Sequence, residues 1–168
     1  YLVNDLHTDE CKIITSPYLV SSLTESDNDA IASSIPVRLN ERSCVFLYAG
    51  KINALKGIRY AIDAFIKLLD SGVDDFEFWI IGDGPARSDL ESQISEFCLT
   101  KHIRFLGQQP HNQLIHFMNT ADVFLFPTLG DYRSLVVFEA LSVGMPILCS
   151  TENGGVFETV INGENGFT

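Results

Sequence analysis

The sequence predicts an α/β fold in which an open parallel β-sheet is covered on both faces by helices. From residue 44 onward, short apolar runs alternate with longer segments in which apolar residues recur at helical spacing. Most of these runs are followed by glycine or proline, which favour strand ends and turns. Strands that alternate with helices indicate a parallel sheet with right-handed crossovers, because each helix returns the chain to the same end of the sheet.

The predicted strands are the apolar runs at residues 44–49, 76–81, 103–106, 123–126 and 147–149. A helix is predicted over 58–69, and a second where Leu90, Ile94 and Phe97 share one face. A short helix is predicted over 113–119, and Ser134 is predicted to cap a helix over 135–141. Trp79 lies in the second apolar run and is interpreted as a core residue.

Residues 1–42 lack this alternation. Residues 12–15 could form a short strand, and residues 21–34 mix Ser, Thr, Asp, Asn and Glu, as surface loops and linkers do. We therefore assign this segment no catalytic role and predict a domain over residues 43–168.

Composition limits the classes of function. A hydrophobic fraction of 46% supports a globular domain, and a net charge of −11 argues against nucleic-acid binding. The four cysteines lack a Cys-x-x-Cys spacing, so they are interpreted as buried thiols in a reduced compartment. The histidines form no metal set, because His111 and His116 are five apart and no Cys or acid completes a site. No apolar run reaches the ~18 residues of a membrane-spanning helix.

Several polar loops directly follow predicted strands: Gly50-Lys51, Gly82-Asp83-Gly84, and residues 106–108 and 128–134. In an open parallel sheet, ligands bind outside the carboxyl ends of the strands, so these loops are predicted to line one crevice. Gly82-x-Gly84 is half of a dinucleotide fingerprint. Since the third glycine and the later acid are missing, a tight turn is favoured over a nicotinamide site.

Two acids, Asp131 and Glu139, flank a predicted helix start with seven residues between them. The neighbours of Glu139 are apolar, so its carboxylate must reach the rim or hold a partner that donates hydrogen bonds. Asp131, Arg133 and Ser134 lie beside the first amides of the helix, where an anion is favoured. A hydrolase acid pair is the rival interpretation, but it leaves the loop lysines without a role. The arrangement indicates a pocket for phosphate and sugar.

These residues resemble the nucleotide-sugar half of retaining glycosyltransferases with two Rossmann-like domains, the group 1, family 4 type. In that family an acid, seven residues and a Glu-Ala pair precede a small-Gly-x-Pro strand and Gly-Gly-x-x-Glu. The matching stretches here are Asp131, Glu139-Ala140, Val143-Gly144-Met145-Pro146 and Gly154-Gly155-Val156-Phe157-Glu158. There are two departures: the first acid is usually Glu, and Tyr132-Arg133-Ser134 replaces the usual Gly-Phe-Gly.

The resemblance implies a Rossmann-like domain that forms one half of a two-domain GT-B fold, with residues 1–42 in the interdomain connection and the N-terminal acceptor domain absent. It implies that Lys51 and Lys56 hold the donor's diphosphate, that Asp131 meets the transferred sugar and that Glu139 accepts hydrogen bonds from ribose. The first three are the predicted catalytic residues. The predicted substrate-binding set comprises Gly50, Gly107, Arg133, Ser134, Leu135, Val136 and Glu139.

The implied reaction moves a sugar from a nucleoside-diphosphate sugar to an acceptor hydroxyl with retention, in polysaccharide or glycoconjugate synthesis. The expected partners are that donor and a carbohydrate or glycolipid acceptor, with no nucleic acid, metal or other cofactor. The expected location is cytoplasmic, with peripheral association with the inner membrane face as an option for the full-length protein. The alternatives are a nucleotide-sugar epimerase of related fold and a non-catalytic sugar-nucleotide sensing domain.

Overall fold

The computed structural model describes residues 35–132 and 134–168. Within them, six strands form one sheet in the order β3-β2-β1-β4-β5-β6. The strands are β1 (Cys44–Ala49), β2 (Phe76–Ile81), β3 (Ile103–Gly107), β4 (Val123–Phe126), β5 (Ile147–Cys149) and β6 (Gly166–Phe167). All neighbouring strands are parallel. The predicted parallel α/β fold is therefore confirmed.

The helices are α1 (Ile58–Asp70), α2 (Arg87–Glu96), α3 (His111–Thr120), α4 (Leu135–Ser142) and α5 (Val156–Thr159). The chain runs outward from β1 to β3 and then crosses to β4, so right-handed crossovers place α1 and α2 on one face and α3 and α4 on the other. Phe65 of α1 packs against Phe46, Phe76 and Phe78 of the first face, with ring centroids 4.9–5.2 Å apart. The four long helices were predicted, whereas β6 and α5 were not.

Strand β2, which lies between β1 and β3, is buried along its whole length, and Trp79 is a core residue as predicted. It also contains a carboxylate that the sequence analysis did not single out, that of Glu77, which is 0% exposed. Trp79 Nε1 donates to Glu77 Oε2 at 3.0 Å, and Arg104 lies 3.4 Å from the same oxygen. The backbone N–H of Leu39 donates to Oε1. These donors compensate the buried charge, which would otherwise be costly.

The segment before β1 is fixed at the amino end of the sheet by Glu77 and by a second acid. The guanidinium of Arg38 reaches both carboxylate oxygens of Asp122, at 2.9 and 3.1 Å. Asp122 also accepts the N–H of Val45 at 2.7 Å, so one carboxylate joins the segment to β1. The predicted strand at 12–15 and loop at 21–34 lie outside the described residues.

Two predictions are wrong at the end of α2: that Phe97 shares a buried helix face with Leu90 and Ile94, and that the thiol of Cys98 is buried. Helix α2 ends at Glu96, and Cys98 follows with φ of +56°. This left-handed turn carries the chain away from the helix face, so Phe97 is 44% exposed and Cys98 is exposed. Cys149 is buried and Cys44 is half-buried, while Cys11 lies outside the described residues. In the described part of the chain, none of the helices combines the length and hydrophobicity needed to cross a bilayer.

Candidate functional site

The loops after β1, β2 and β3 are joined backbone to backbone at the carboxyl edge of the sheet. The N–H of Gly50 donates to Ile81 O at 3.0 Å, that of Ile52 to Asp83 O at 2.9 Å, and that of Gly82 to Gly107 O at 2.7 Å. A Cβ on Gly82 would lie 1.9 Å from Gly50 O. A glycine is needed here because the loop after β1 approaches this closely. This role is more specific than the predicted tight turn.

These loops open onto a cavity of about 800 Å³. Its walls are formed by Ala49, Gly50, Lys51, Ile81, Gly82, Asp83, Gly84, Gln108, Gln109, His111, Leu114 and Val136. Of the predicted site residues, Gly50, Lys51 and Val136 therefore line it. Gly107 lies immediately beside it, because Gln108 is part of the wall and Gly107 accepts the hydrogen bond from Gly82. The volume lies within the range of small-molecule sites.

Tyr48 forms a hydrogen bond with the backbone of a residue that lines this cavity, and the sequence analysis did not identify it. The residue is fully buried, and its hydroxyl donates to Lys51 O at 2.9 Å. Burial raises the pKa of this phenol, and the nearby negative charge of Asp131 raises it further. The hydroxyl therefore stays protonated and holds the backbone of Lys51 in place.

Two predicted site residues, Lys56 and Asp131, form an ion pair between the loops after β1 and β4. Both side chains are 19% exposed, and the ammonium also lies 5.3 Å from the ring centroid of Phe126. The loops are locked together around the pair. Gly57, next to Lys56, has φ of +66°, and a Cβ there would lie 1.9 Å from Pro127 O.

The backbone of Asp131 is held by the loop that carries the Gly-Gly motif. Its carbonyl accepts the N–H of Gly154 at 2.7 Å, and its own N–H donates to Glu152 O at 3.2 Å. A Cβ on Gly154 would lie 2.5 Å from Tyr132 O, so this position requires glycine. The motif thus supports the first acid structurally.

Glu139 is held by a residue that sequence reasoning dismissed. Glu139 lies on the second turn of α4, and the whole residue is 9% exposed. His111 Nε2 lies 2.8 Å from its Oε1. Of the two predicted alternatives, that the carboxylate reaches the rim or that it holds a hydrogen-bond donor, the structure shows the second. The sequence analysis considered His111 only as a metal ligand and did not identify it as this donor. The signal available was position, since His111 closely follows the end of β3 at the crevice edge.

The start of α4 differs from its prediction in one respect. Ser134 precedes the helix, but its hydroxyl makes no capping hydrogen bond. It is instead buried and has no hydrogen-bond partner among the described residues. Leu135 is 45% exposed, and Val136 faces the cavity. Arg133 lies outside the described residues.

The sheet order and the crevice at its carboxyl edge define a Rossmann-like α/β domain, a class of fold whose ligands bind beyond the strand ends. The family model described as "Glycosyl transferases group 1" matches residues 32–168. The chain belongs to this family. The resemblance noted in the sequence is thereby confirmed.

Relatives and solved structures agree with this assignment. The chain is 34% identical to the 2-deoxystreptamine glucosyltransferase of Streptomyces kanamyceticus over 67% of its length and 29% of the relative's. It is 29% identical to the amylovoran biosynthesis glycosyltransferase AmsK of Erwinia amylovora, over 72% of the chain and 31% of the relative. The chain thus spans about a third of the length of these curated relatives.

Two crystal structures share the fold. HepE of Anabaena, in complex with UDP and glucose, matches with a TM-score of 0.64 and 23% identity over 75% of this chain and 34% of that one. The C-terminal domain of the group 1 glycosyl transferase LpcC of Francisella tularensis matches with a TM-score of 0.67 and 21% identity, over 86% and 75% of the two chains. The fold is that of one half of a GT-B glycosyltransferase.

Proposed function

We propose that this chain is the donor-binding half of a retaining glycosyltransferase that uses a nucleoside-diphosphate sugar. The observation that carries the proposal is the grouping, at one sheet edge, of a cavity lined by Lys51 with two acids of the family pattern, Asp131 and Glu139. Lys51 and Lys56 supply positive charge where a diphosphate must be neutralised. Glu139 supplies acceptor oxygens for ribose hydroxyls.

In the proposed reaction, an acceptor hydroxyl oxygen forms a bond to the anomeric carbon of the donor sugar. The bond from that carbon to the diphosphate breaks, and the nucleoside diphosphate leaves with the electron pair. The acceptor's proton passes to the departing phosphate oxygen. The domain contributes positioning and neutralisation of the leaving group, which are large terms for this kind of transfer. No metal or other cofactor is required in this scheme.

The close pairing of Lys56 with Asp131 gives these residues linked roles. In the ligand-free chain, each neutralises the other. A diphosphate that approaches Lys56 competes for its ammonium, and the carboxylate of Asp131 is then released toward the hydroxyls of the transferred sugar. Diphosphate binding would thus prepare the sugar-binding acid.

The names of relatives support a role in polysaccharide or glycoconjugate synthesis, since AmsK acts in amylovoran biosynthesis. The acceptor would be a carbohydrate or glycolipid held by a second domain. Peripheral association of the full-length protein with the inner membrane face belongs to this proposal. HepE was crystallised with UDP and glucose, so UDP is the first ligand to test.

The test is calorimetric titration of the chain with UDP, GDP and ADP, with and without EDTA. We expect one diphosphate to bind, with an affinity that chelation leaves unchanged. Lys51→Ala should weaken the affinity for this diphosphate by about fivefold, or ~1 kcal/mol, as is usual for an exposed charge. Lys67→Ala is the matched control, because Lys67 is an exposed lysine of α1 away from the cavity. Absence of binding by all three diphosphates would contradict the proposal. Sugar epimerisation without an acceptor would favour the epimerase instead.

A further inference from the structure

The contact between His111 and Glu139 joins two helices at the wall of the cavity. His111 is the first residue of α3, and its side chain is 62% exposed. Glu139 belongs to α4, and its side chain is only 11% exposed. His111 itself lines the cavity, as does Val136, one helical turn before Glu139 and on the same side of α4. The pair therefore stands where the cavity meets both helices.

A carboxylate in this position needs an external group to fix its orientation. The side chains flanking Glu139 on α4 are apolar, with Val137 and Ala140 in the core. The other side-chain hydrogen bond near it, from Ser142 Oγ, goes to the backbone carbonyl of Glu139. Among the described residues, His111 is the one side chain that forms a hydrogen bond with the carboxylate. The imidazole N–H thus occupies Oε1 and leaves Oε2 to accept from a ligand.

We propose that His111 is a positioning residue that sets the orientation of Glu139 for recognition of the ribose of the donor. Its Nε2–H donates to Oε1, which fixes the rotation of the carboxylate so that Oε2 presents its lone pairs to a ribose hydroxyl. The inference rests on the proposed function, because it names how the nucleotide end of that same site is read. His111 acts through Glu139 and needs no contact with the ligand.

The test uses two amides that differ in where they place their nitrogen. In His111→Gln the amide nitrogen falls near the position of Nε2 and can still donate to Glu139. In His111→Asn the amide nitrogen falls near the position of Nδ1 and does not reach the carboxylate of Glu139. Both substitutions keep a polar, mostly exposed side chain, so both are expected to fold. Asn112→Ala is the control, since Asn112 is an exposed neighbour on the same helix.

The readout is discrimination between ribose and deoxyribose. Affinities are measured by calorimetry for UDP, GDP, ADP and their 2′-deoxy and 3′-deoxy counterparts. In the wild-type chain, loss of the recognised hydroxyl should weaken the diphosphate that binds by about tenfold or more. In His111→Asn this ratio should fall to about twofold, while His111→Gln and Asn112→Ala keep it. In a Glu139→Gln background, His111→Asn should change the ratio no further, because the two residues act as a unit.

The outcomes separate the two proposals. If no diphosphate binds the wild-type chain, the proposed function fails, and this inference with it. If diphosphate binds but the wild-type chain does not distinguish ribose from deoxyribose, the role of Glu139 and this inference both fail. If the discrimination exists and survives His111→Asn, or if Asn and Gln weaken ribo- and deoxyribonucleotides equally, only the inference about His111 fails.

Discussion

Lys56 and Asp131 show how a contact between two residues changes what each substitution is expected to do. Treated separately, one is a phosphate ligand and the other a sugar ligand. In the ligand-free chain they neutralise each other, and the charge of Asp131 also acts on the Tyr48 hydroxyl that orders Lys51. Substitution of the two acids should therefore change the affinity for the nucleoside diphosphate in opposite directions.

We predict that Asp131→Asn and Glu139→Gln separate by ligand. Asp131→Asn frees Lys56, so affinity for the nucleoside diphosphate should rise by up to about 1 kcal/mol, the upper end for a partly exposed pair. Affinity for the sugar nucleotide should fall instead, because a hydroxyl acceptor is lost. Glu139→Gln should weaken both ligands by about 1–3 kcal/mol. Calorimetry with nucleoside, diphosphate and sugar nucleotide measures the three effects.

Lys56→Ala is the control for this pair of variants. It should weaken every ligand that carries the diphosphate and spare the nucleoside. Equal losses for Asp131→Asn on all ligands, or none for Glu139→Gln on any, would assign the acids to the fold and away from the site.

A second prediction at this scale concerns the buried thiol of Cys149 in β5. Burial raises the pKa of this thiol from 9.0 to about 11. As pH rises, the thiol therefore ionises in the unfolded chain at a lower pH than in the folded chain. Its contribution to stability is complete below pH 9 and is lost as pH rises toward 11. Relative to Cys149→Ala, the wild-type chain should lose about 1 kcal/mol of unfolding free energy between pH 8 and pH 10. Urea unfolding of both proteins at the two pH values measures this difference, and parallel curves would contradict it.

At the scale of elements, the site depends on how closely its loops approach. Gly57 follows the short 3-10 turn Ala54–Lys56 and abuts the carbonyl of Pro127 after β4. Leu129 N donates to Leu55 O at 2.8 Å across the same junction. This junction brings Lys56 to Asp131. Gly57 therefore permits both the packing of the two loops and the ion pair at the candidate site.

We predict that Gly57→Ala is more destabilising than Gly72→Ala. Both glycines have positive φ, +66° and +82°, and both alanines bear a left-handed strain of about 1 kcal/mol. A Cβ at Gly72 meets nothing within 4 Å, whereas at Gly57 it would overlap Pro127 O. Forcing the loops apart should add about 1–3 kcal/mol and weaken diphosphate binding. Denaturant unfolding and calorimetry of the two variants provide the test, and equal losses of stability would refute the role given to the loop junction.

Most elements could be predicted because their signal is local. The apolar run of β2 is buried on both faces, and the spacing of α1 shows its core side. Strand β6 has two residues and α5 has four, which is too short for any periodicity to develop. The turn at Cys98 was missed because its positive φ has no glycine to signal it.

The site was predictable to the extent that topology places it. Parallel strands bring their following loops to one edge, so the crevice and its family residues could be located from sequence. The pairings within it could not, since Lys56 and Asp131 are 75 residues apart and His111 and Glu139 are 28 apart. Such contacts depend on the height of each loop above the sheet, which no sequence pattern specifies.

At the scale of the whole molecule, the chain spans only part of the length of its relatives. It spans 29% of the Streptomyces kanamyceticus glucosyltransferase and 31% of AmsK, whereas it covers 75% of the LpcC structure, which is a C-terminal domain. Its cavity opens at the carboxyl edge of the sheet, and Gly50, Lys51 and Val136 of the predicted site line it. The proposed function gives none of the described residues a role in acceptor binding.

We predict that the 168-residue chain binds its donor but transfers sugar inefficiently. In the proposed function, the donor is bound by the cavity, Lys51, Lys56 and Glu139, all of which belong to this chain. Transfer also needs an acceptor hydroxyl held against the anomeric carbon, and loss of such positioning costs about 7 kcal/mol, or roughly 10⁵-fold in rate. Calorimetry with UDP and UDP-glucose, paired with transfer of radiolabelled glucose to a panel of sugar and glycolipid acceptors, measures both halves. A full-length relative assayed in parallel shows that the acceptors are competent. Acceptor-dependent transfer by the chain at a rate close to that relative's would mean that acceptor binding lies within these residues, and that the division of labour proposed between two domains is wrong.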